Sequence, residues 1–333
     1  MSRQLFESVA EFPCLSQIIQ SQLREWPAHA AFLEKRFAGM DPLSLARCEE
    51  LSGLVLVLIE DELDRSCADY HWMCNRLSVE QVYFLRHGSY RLKTFDAVHQ
   101  QLYGNDLHMA RHVRGLLLSQ IFWHNHAMAI ELFRTAFLAE YTAGGDYLEV
   151  GPGHGLFLYF AAREGGFTSL TGWEWSRASI EATQCAVAKL SIRQPLELVQ
   201  QDVLKAPTAL ESFDAVVISE VLEHLETPWV ALETLYKSLR PRGRIFINIP
   251  INSPAPDHLY LWRHPDEVRA FVQQCGFMIL REQQLPMTGY TVEQAITGHF
   301  TLSSVIIGEK RAATDLNRDN NPVAAESGQI KGA

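Results

Sequence analysis

Tyr147-Leu-Glu-Val-Gly-Pro-Gly-His-Gly155 is an apolar strand that runs into three glycines at alternate positions and then into a helix. Gly151 and Gly153 let the backbone pass close to a ligand, where a Cβ would clash. The helix N-terminus just beyond offers backbone N–H groups to a polar or negative ligand group. The spacing is not the G-x-G-x-x-G of dinucleotide-binding folds, whose third glycine would fall on Leu156.

From Asp146 onward, short apolar strands alternate with helices. The pattern predicts strands at Tyr147–Val150, Ser169–Trp173, Glu197–Gln200, Ala215–Ser219, Arg244–Ile249, Met278–Glu282 and Leu302–Ile307. Helices are predicted at Gly155–Arg163, Ser176–Leu190, Trp229–Leu239 and Pro265–Cys275, the last with proline at its first position and Gly276 just past its end. Such alternation implies a parallel sheet covered on both faces. The last two strands have no predicted helix between them and should add an antiparallel hairpin at one edge.

Toward the N-terminus, Leu5 to Tyr141 reads as helical. The segment from Leu51 to Leu63 is too apolar for a surface helix and should be buried. Ser78-Val-Glu-Gln81 has the form of a capping box and predicts a helix start. His108 to Tyr141, long, proline-free and apolar on more than one face, reads as one or two helices packed between an N-terminal bundle and the sheet. Residues 311–333, rich in Asn, Asp, Ala and Gly without periodicity, read as a disordered tail. The expected organisation is therefore an all-helical lid or substrate domain at 1–140 and an α/β domain at 141–310.

Three further residues fall where a nucleoside needs them. Glu174 ends the second strand, about twenty residues after the loop, where an acid can accept both ribose hydroxyls. Asp202 follows the third strand, in reach of an adenine amino group. Ser219 ends the fourth strand, at the rim where ligands bind in open α/β sheets. Taken singly, Glu174 and Asp202 would be ordinary strand-end acids; their order and spacing link them.

On these residues the chain resembles the class I S-adenosylmethionine (SAM) dependent methyltransferases over about Tyr141–Lys310. It shares the E-x-G-x-G-x-G loop, the acid after the second strand, the aspartate after the third and the Leu239-Arg-Pro-Arg-Gly243 turn before the fifth, with Arg242 where a second glycine is common. The resemblance implies an α/β, Rossmann-like doubly wound sheet and SAM as cosubstrate. It also implies that Glu149, Gly151, Gly153 and Gly155 line the methionine moiety and Glu174 holds the ribose. Trp175 would cover the adenine, Asp202 and Val203 would meet its edge, and Ser219 would stand at the rim.

Methyl transfer needs mainly an in-line nucleophile, deprotonated where necessary. In Glu220-Val-Leu-Glu-His-Leu225, His224 is the leading base candidate because an ordinary histidine titrates near neutrality; a histidine that merely orders local structure is equally open. Glu220-x-x-Glu223-His224 also resembles the metal-binding segment of ubiquinone-pathway O-methyltransferases and small-RNA 2′-O-methyltransferases. Metal-free relatives carry a similar Glu-His pair, and no metal is expected. His108 and His112 read as helix-surface or core histidines. The proline-rich loop after the fifth strand offers Asn252, Asp257, His258 and Tyr260 to an acceptor. The helical region adds Tyr83, Phe84, Tyr90, Tyr103, Trp123 and His124, with Asn125 and His126 as candidate catalytic groups beside His224 and His258.

The 333 residues carry a formal net charge of −10, which argues against a nucleic-acid partner, since phosphate binders present basic faces. Arg240-Pro-Arg-Gly-Arg244 is the one local basic run singled out, and reads as a solvated turn. The six cysteines include no C-x-x-C pair, so structural zinc is not expected and reduced thiols in the cytoplasm are. No signal peptide is expected, because Met1–Ser8 lacks a basic region followed by an apolar stretch, and no membrane span, because polar residues interrupt the apolar stretch Gly115–Phe137. The reading is a cytoplasmic small-molecule methyltransferase of bacterial secondary metabolism, compatible with a homodimer. The alternative comes from overall layout, which is similar to azetidine-2-carboxylate synthases: the amine of SAM attacks its own γ-carbon and expels methylthioadenosine.

Overall fold

The β-branched runs of the C-terminal half pair into one seven-stranded sheet in a computed structural model that describes residues 3–311 apart from 38 and 208. The strands are β1 (Asp146–Val150), β2 (Ser169–Glu174), β3 (Leu196–Gln200), β4 (Phe213–Ser219), β5 (Leu239–Ile251), β6 (Phe277–Pro286) and β7 (Leu302–Lys310). Their order is β3-β2-β1-β4-β5-β7-β6. The first five are parallel neighbours, and β7 runs antiparallel between β5 and β6. The order reverses between β1 and β4, and the carboxyl ends of those two strands open the crevice where such sheets bind ligands.

The N-terminal helices are α1 (Arg3–Val9), α2 (Pro13–Glu25), α3 (Ala30–Phe37), α4 (Pro42–Ile59), α5 (Leu63–His87), α6 (Phe95–Val98), α7 (Asp106–Phe122) and α8 (His124–Leu132). The sheet carries α9 (Leu156–Glu164), α10 (Arg177–Lys189), α11 (Pro228–Ser238), α12 (Pro265–Gln274) and α13 (Val292–Thr297). Alternation along the strands sends successive side chains to opposite faces. Tyr147, Val217 and Phe246 join one buried cluster with α9 and the N-terminal helices; Leu148, Val216, Ile245 and Ile247 join another with α11 and α12. Phe133, fully buried, packs its ring against those of Phe137, Tyr147, Phe157 and Phe246. One continuous core thus runs from the helical region into one face of the sheet.

Several local expectations need correction. The Ser78 segment starts no helix: α5 runs through it, and Ser78 Oγ instead donates to the Cys74 carbonyl one turn back at 2.9 Å. α13 does stand between β6 and β7, capped by Thr291 and Gln294 in a true capping box. The Leu239–Gly243 turn belongs to β5, whose start pairs Leu239 with Phe213 before an irregularity in register. Its basic run is not merely solvated, because Arg240 pairs with Asp146 at 2.8 Å and with Asp214, and Arg244 with Glu140 at 2.9 Å. The stretch from His108 to Tyr141 divides at Trp123, extended at φ −93° and ψ 125°, and continues through a π-helical turn at Phe133–Phe137. The apolar 51–63 segment is buried only in part: Leu51, Val55, Leu58 and Ile59 are buried, whereas Val57 is exposed and Leu54, Leu56 and Leu63 are half-buried. The expected tail at 312–333 lies outside the described residues. Among the described residues no helix is long and apolar enough to cross a membrane.

Candidate active site

The loop between β1 and α9 holds Gly151, Gly153 and Gly155 at φ +66°, +44° and +72°, left-handed values that favour glycine. A Cβ on Gly151 would also lie 2.9 Å from the Val221 side chain. Glu149, four per cent exposed, receives a hydrogen bond from Tyr147 Oη at 3.1 Å, since both point to the same face of β1. Burial pushes its carboxyl up to about 8. Glu174, at the end of β2 and seven per cent exposed, is pushed by burial up to about 7, against the backbone amides of Gly153 and Trp175. Two buried acids facing a glycine-lined cradle suit a ligand that brings an ammonium and ribose hydroxyls, and SAM has both. The residues fit it.

One cavity of about 630 Å³ is lined by Glu149, Gly151, Gly153, Glu174 and Ser219 and continues under the helical region. Gly155, Trp175, Asp202 and Val203 do not line it. Gly155 is the N-cap of α9, where a Cβ would meet Ala186 and Leu190 at 3.7 Å. Asp202 accepts from the Leu204 amide at 3.0 Å and pairs with Lys205 at 3.4 Å; Val203 is core. Trp175 is 48% exposed and meets the Phe95 ring edge-on, 5.4 Å between centroids. The amide of Phe95 donates to Glu226 at 2.7 Å, so the segment around α6 is clasped to the rim after β4.

That rim gathers acids and imidazoles. Glu220 sits at φ +54°, a strained position for a non-glycine residue, and accepts from Asn248 Nδ2 at 3.0 Å. Glu223 is wholly buried, and neither of its carboxylate oxygens has a hydrogen-bond partner. Burial, reinforced by Glu220, drives its carboxyl far above the usual range. His224 Nδ1 lies 3.1 Å from the Asp257 carbonyl, and Tyr103 Oη stands 3.4 Å from the same nitrogen and 3.3 Å from Asp257 Oδ2. Tyr103 ends a second π-helical turn, a local geometry frequent at functional sites. His258 Nδ1 lies 2.7 Å from the Ser253 carbonyl, and burial lowers its ring to about 3. Of the loop candidates, Asp257 and His258 line the cavity; Asn252 is turned to the Arg263 carbonyl at 3.0 Å, and Tyr260 packs on Trp262.

On the side of the helical region the cavity forms a chamber walled by Trp26, His29, Phe32, Tyr70, Trp123 and His126. Asn125 also lines it, but its Nδ2 donates to Ser303 Oγ at 2.9 Å; His126 Nδ1 lies 3.0 Å from Ser119 Oγ and 3.2 Å from Gln120 Nε2. Asn125 Nδ2 and His126 Nδ1 therefore find protein partners, and burial holds His126 down to about 3, too low for a base near neutrality. His124 does not line the cavity. Trp26, His29, Phe32 and Tyr70 escaped the sequence reading, because apolar and aromatic residues on helices look the same whether they face a core or a chamber. Among the described residues, no lysine or arginine lines the cavity.

Residues 148–247 match the model of a methyltransferase domain family. No curated protein sequence matches the chain. Among solved structures it is similar to the YcgJ protein of Bacillus subtilis, with a TM-score of 0.46 and 15% identity over 56% of this chain and all of that one. It is also similar to the N-methyltransferase NodS of Bradyrhizobium japonicum WM9 in complex with S-adenosyl-L-homocysteine, at 0.42 and 16% over 56% and 87%. A third likeness is to the (4+2)-cyclase SpnF, at 0.45 and 16% over 56% and 80%.

Proposed function

Because the chain carries a class I SAM-dependent methyltransferase domain, with SAM as its cosubstrate, we propose that it methylates a small molecule held in the helical chamber. The observation that carries this reading is the single cavity shared by the glycine loop, Glu174 and the aromatic walls of the helical region. A volume of about 630 Å³ suits two ligand parts meeting end to end, within the roughly 300–1,000 Å³ typical of ligand sites. The aromatic walls and the missing lysine and arginine favour an acceptor with an apolar or aromatic body and little negative charge.

SAM supplies an activated methyl group on a sulfonium. The protein's own residues do the rest. Glu174 accepts from the ribose hydroxyls, Glu149 faces the amino-acid end, and the helices exclude water around the reacting atoms. His224 holds its Nδ1 proton on the Asp257 carbonyl, which leaves the Nε2 lone pair toward the cavity as the proton acceptor. His126 and Asn125, fixed by Ser119, Gln120 and Ser303, position the acceptor. Bacterial secondary metabolism and a cytoplasmic setting belong to the same proposal.

The enclosed aromatic chamber also favours a second reading, in which the amine of SAM attacks its own γ-carbon. Aromatic faces would steady the sulfonium. Mass spectrometry of SAM incubations separates the two. Methyl transfer predicts S-adenosylhomocysteine only when an acceptor is added. Methylthioadenosine with a cyclic amino acid from SAM alone overturns it in favour of cyclisation.

A further inference from the structure

We infer that His154 holds the carboxylate of SAM, donating an uncharged N–H where a buried carboxylate usually meets a basic side chain. The amino-acid end of SAM carries two charges, an ammonium and a carboxylate. Glu149 faces that end and suits the ammonium. The carboxylate needs donors, and burying it without them is costly. Among the described residues, no lysine or arginine lines the cavity to supply one.

Elimination then singles out one side chain. In the cavity wall contributed by residues after Glu149, side-chain N–H groups belong to His154, His224, Asn248 and His258. His224 Nδ1 lies 3.1 Å from the Asp257 carbonyl and His258 Nδ1 2.7 Å from that of Ser253. A carbonyl only accepts, so both rings keep their protons on Nδ1 and their Nε2 atoms are lone pairs, wrong for a carboxylate. Asn248 Nδ2 gives its hydrogens to Ser219 Oγ at 3.1 Å and to Glu220 at 3.0 Å. His154 remains, and it belongs to the glycine loop itself.

Its tautomer is fixed by the chain. The amide of Leu156, the first residue of α9, donates to His154 Nδ1 at 3.3 Å. Nδ1 is therefore the acceptor, and the proton of the neutral ring sits on Nε2. Burial lowers the ring to about 4, so the neutral form prevails near pH 7. Nε2–H has no partner among the described residues, on a ring that lines the cavity. The N-terminus of α9 lies at the same place, and its dipole favours a negative group there. Sequence spacing alone is silent on His154, since it does not show that the other N–H donors of this wall are spent. The role requires only that SAM binds, whether methyl transfer or cyclisation follows.

Calorimetry of the full-length protein with three ligands tests it: S-adenosylhomocysteine, its decarboxylated analogue, and methylthioadenosine, which lacks the amino-acid chain. Wild type should prefer S-adenosylhomocysteine over the decarboxylated analogue by about tenfold or more, as expected for one hydrogen bond to a charged group. His154→Asp keeps an oxygen for the Leu156 amide but sets an anion against the carboxylate. It should weaken S-adenosylhomocysteine by about tenfold or more and weaken the other two ligands by no more than about twofold. His154→Asn, which keeps both an oxygen and an N–H, should lose less. If His154→Asp fails to fold, His154→Ala with the same three ligands decides. No preference in wild type, equal weakening of all three ligands, or equal losses in the first two variants would overturn the role and leave His154 as a helix cap. A wild type that binds none of the three would instead overturn SAM binding itself, so the two failures are distinguishable.

Discussion

Replacing Glu174 with alanine removes the carboxylate that closes β2 against the cavity. In the proposed complex it accepts two ribose hydroxyls, and hydrogen bonds to a charged acceptor contribute about 1.5–3 kcal/mol each. Part of that gain is offset, because the ribose hydroxyls give up hydrogen bonds to water on binding. The burial of this group, visible in a carboxyl held up to about 7, is borne by the free protein and the complex alike. The net loss should be about 1–3 kcal/mol, or roughly 5- to 150-fold in Kd. The assay is calorimetric titration of S-adenosylhomocysteine at pH 8, where the wild-type carboxyl is largely ionised. A Kd within about twofold of wild type, in a variant that melts normally, would refute the reasoning and put the ribose elsewhere.

Other expectations follow from the same geometry. At pH 7 Glu149, near 8, and Glu174, near 7, keep protons on much of the free protein; an incoming ammonium and hydroxyls favour the carboxylates. Ligand binding should therefore release protons and tighten as pH rises from 6 to 8, read by titration in buffers of different ionisation enthalpy; proton uptake would contradict this. Because the folded value of Glu149 lies above its ordinary 4.5, its stabilising effect is present below that pH and lost as pH rises through about 8. Glu149→Gln should thus raise the melting temperature more at pH 9 than at pH 6, and a larger gain at pH 6 would count against it. Asn125→Ala and His126→Ala should spare SAM affinity yet cut turnover; wild-type turnover in both would make the segment packing and move the acceptor site to the loop at Asn252–Tyr260. Phe133→Ala, at the junction of helices and sheet, should cost about 3–5 kcal/mol by denaturant unfolding. A loss under about 1 kcal/mol would mean the two regions are not one core.

The parts legible in the sequence were those written in local chemistry. The glycine loop, the strand–helix alternation and the placement of Glu149, Glu174 and Ser219 need only near neighbours, and all three residues line the cavity. What was hidden depends on distant chain segments. His258 meets Glu223 and His224 only because the loop after β5 folds back over the β4 rim. Trp26, His29 and Tyr70 become chamber walls only through packing of α2 to α7, and helical periodicity does not separate a chamber from a core. Ser78 misled because a serine followed by glutamine three residues later marks a helix start only where the backbone lacks i−4 carbonyls, and within α5 it has one.

The crystal structure of the protein with S-adenosylhomocysteine tests the central claim most directly. The expected complex has the ribose hydroxyls within hydrogen-bond distance of Glu174 and the amino-acid portion against Gly151, Gly153 and Glu149. Its sulfur opens onto the chamber between His126 and His224. A nucleoside lodged instead among Trp26, Tyr70 and Trp123, with Glu174 touching none of it, would contradict the assignment of donor and acceptor ends.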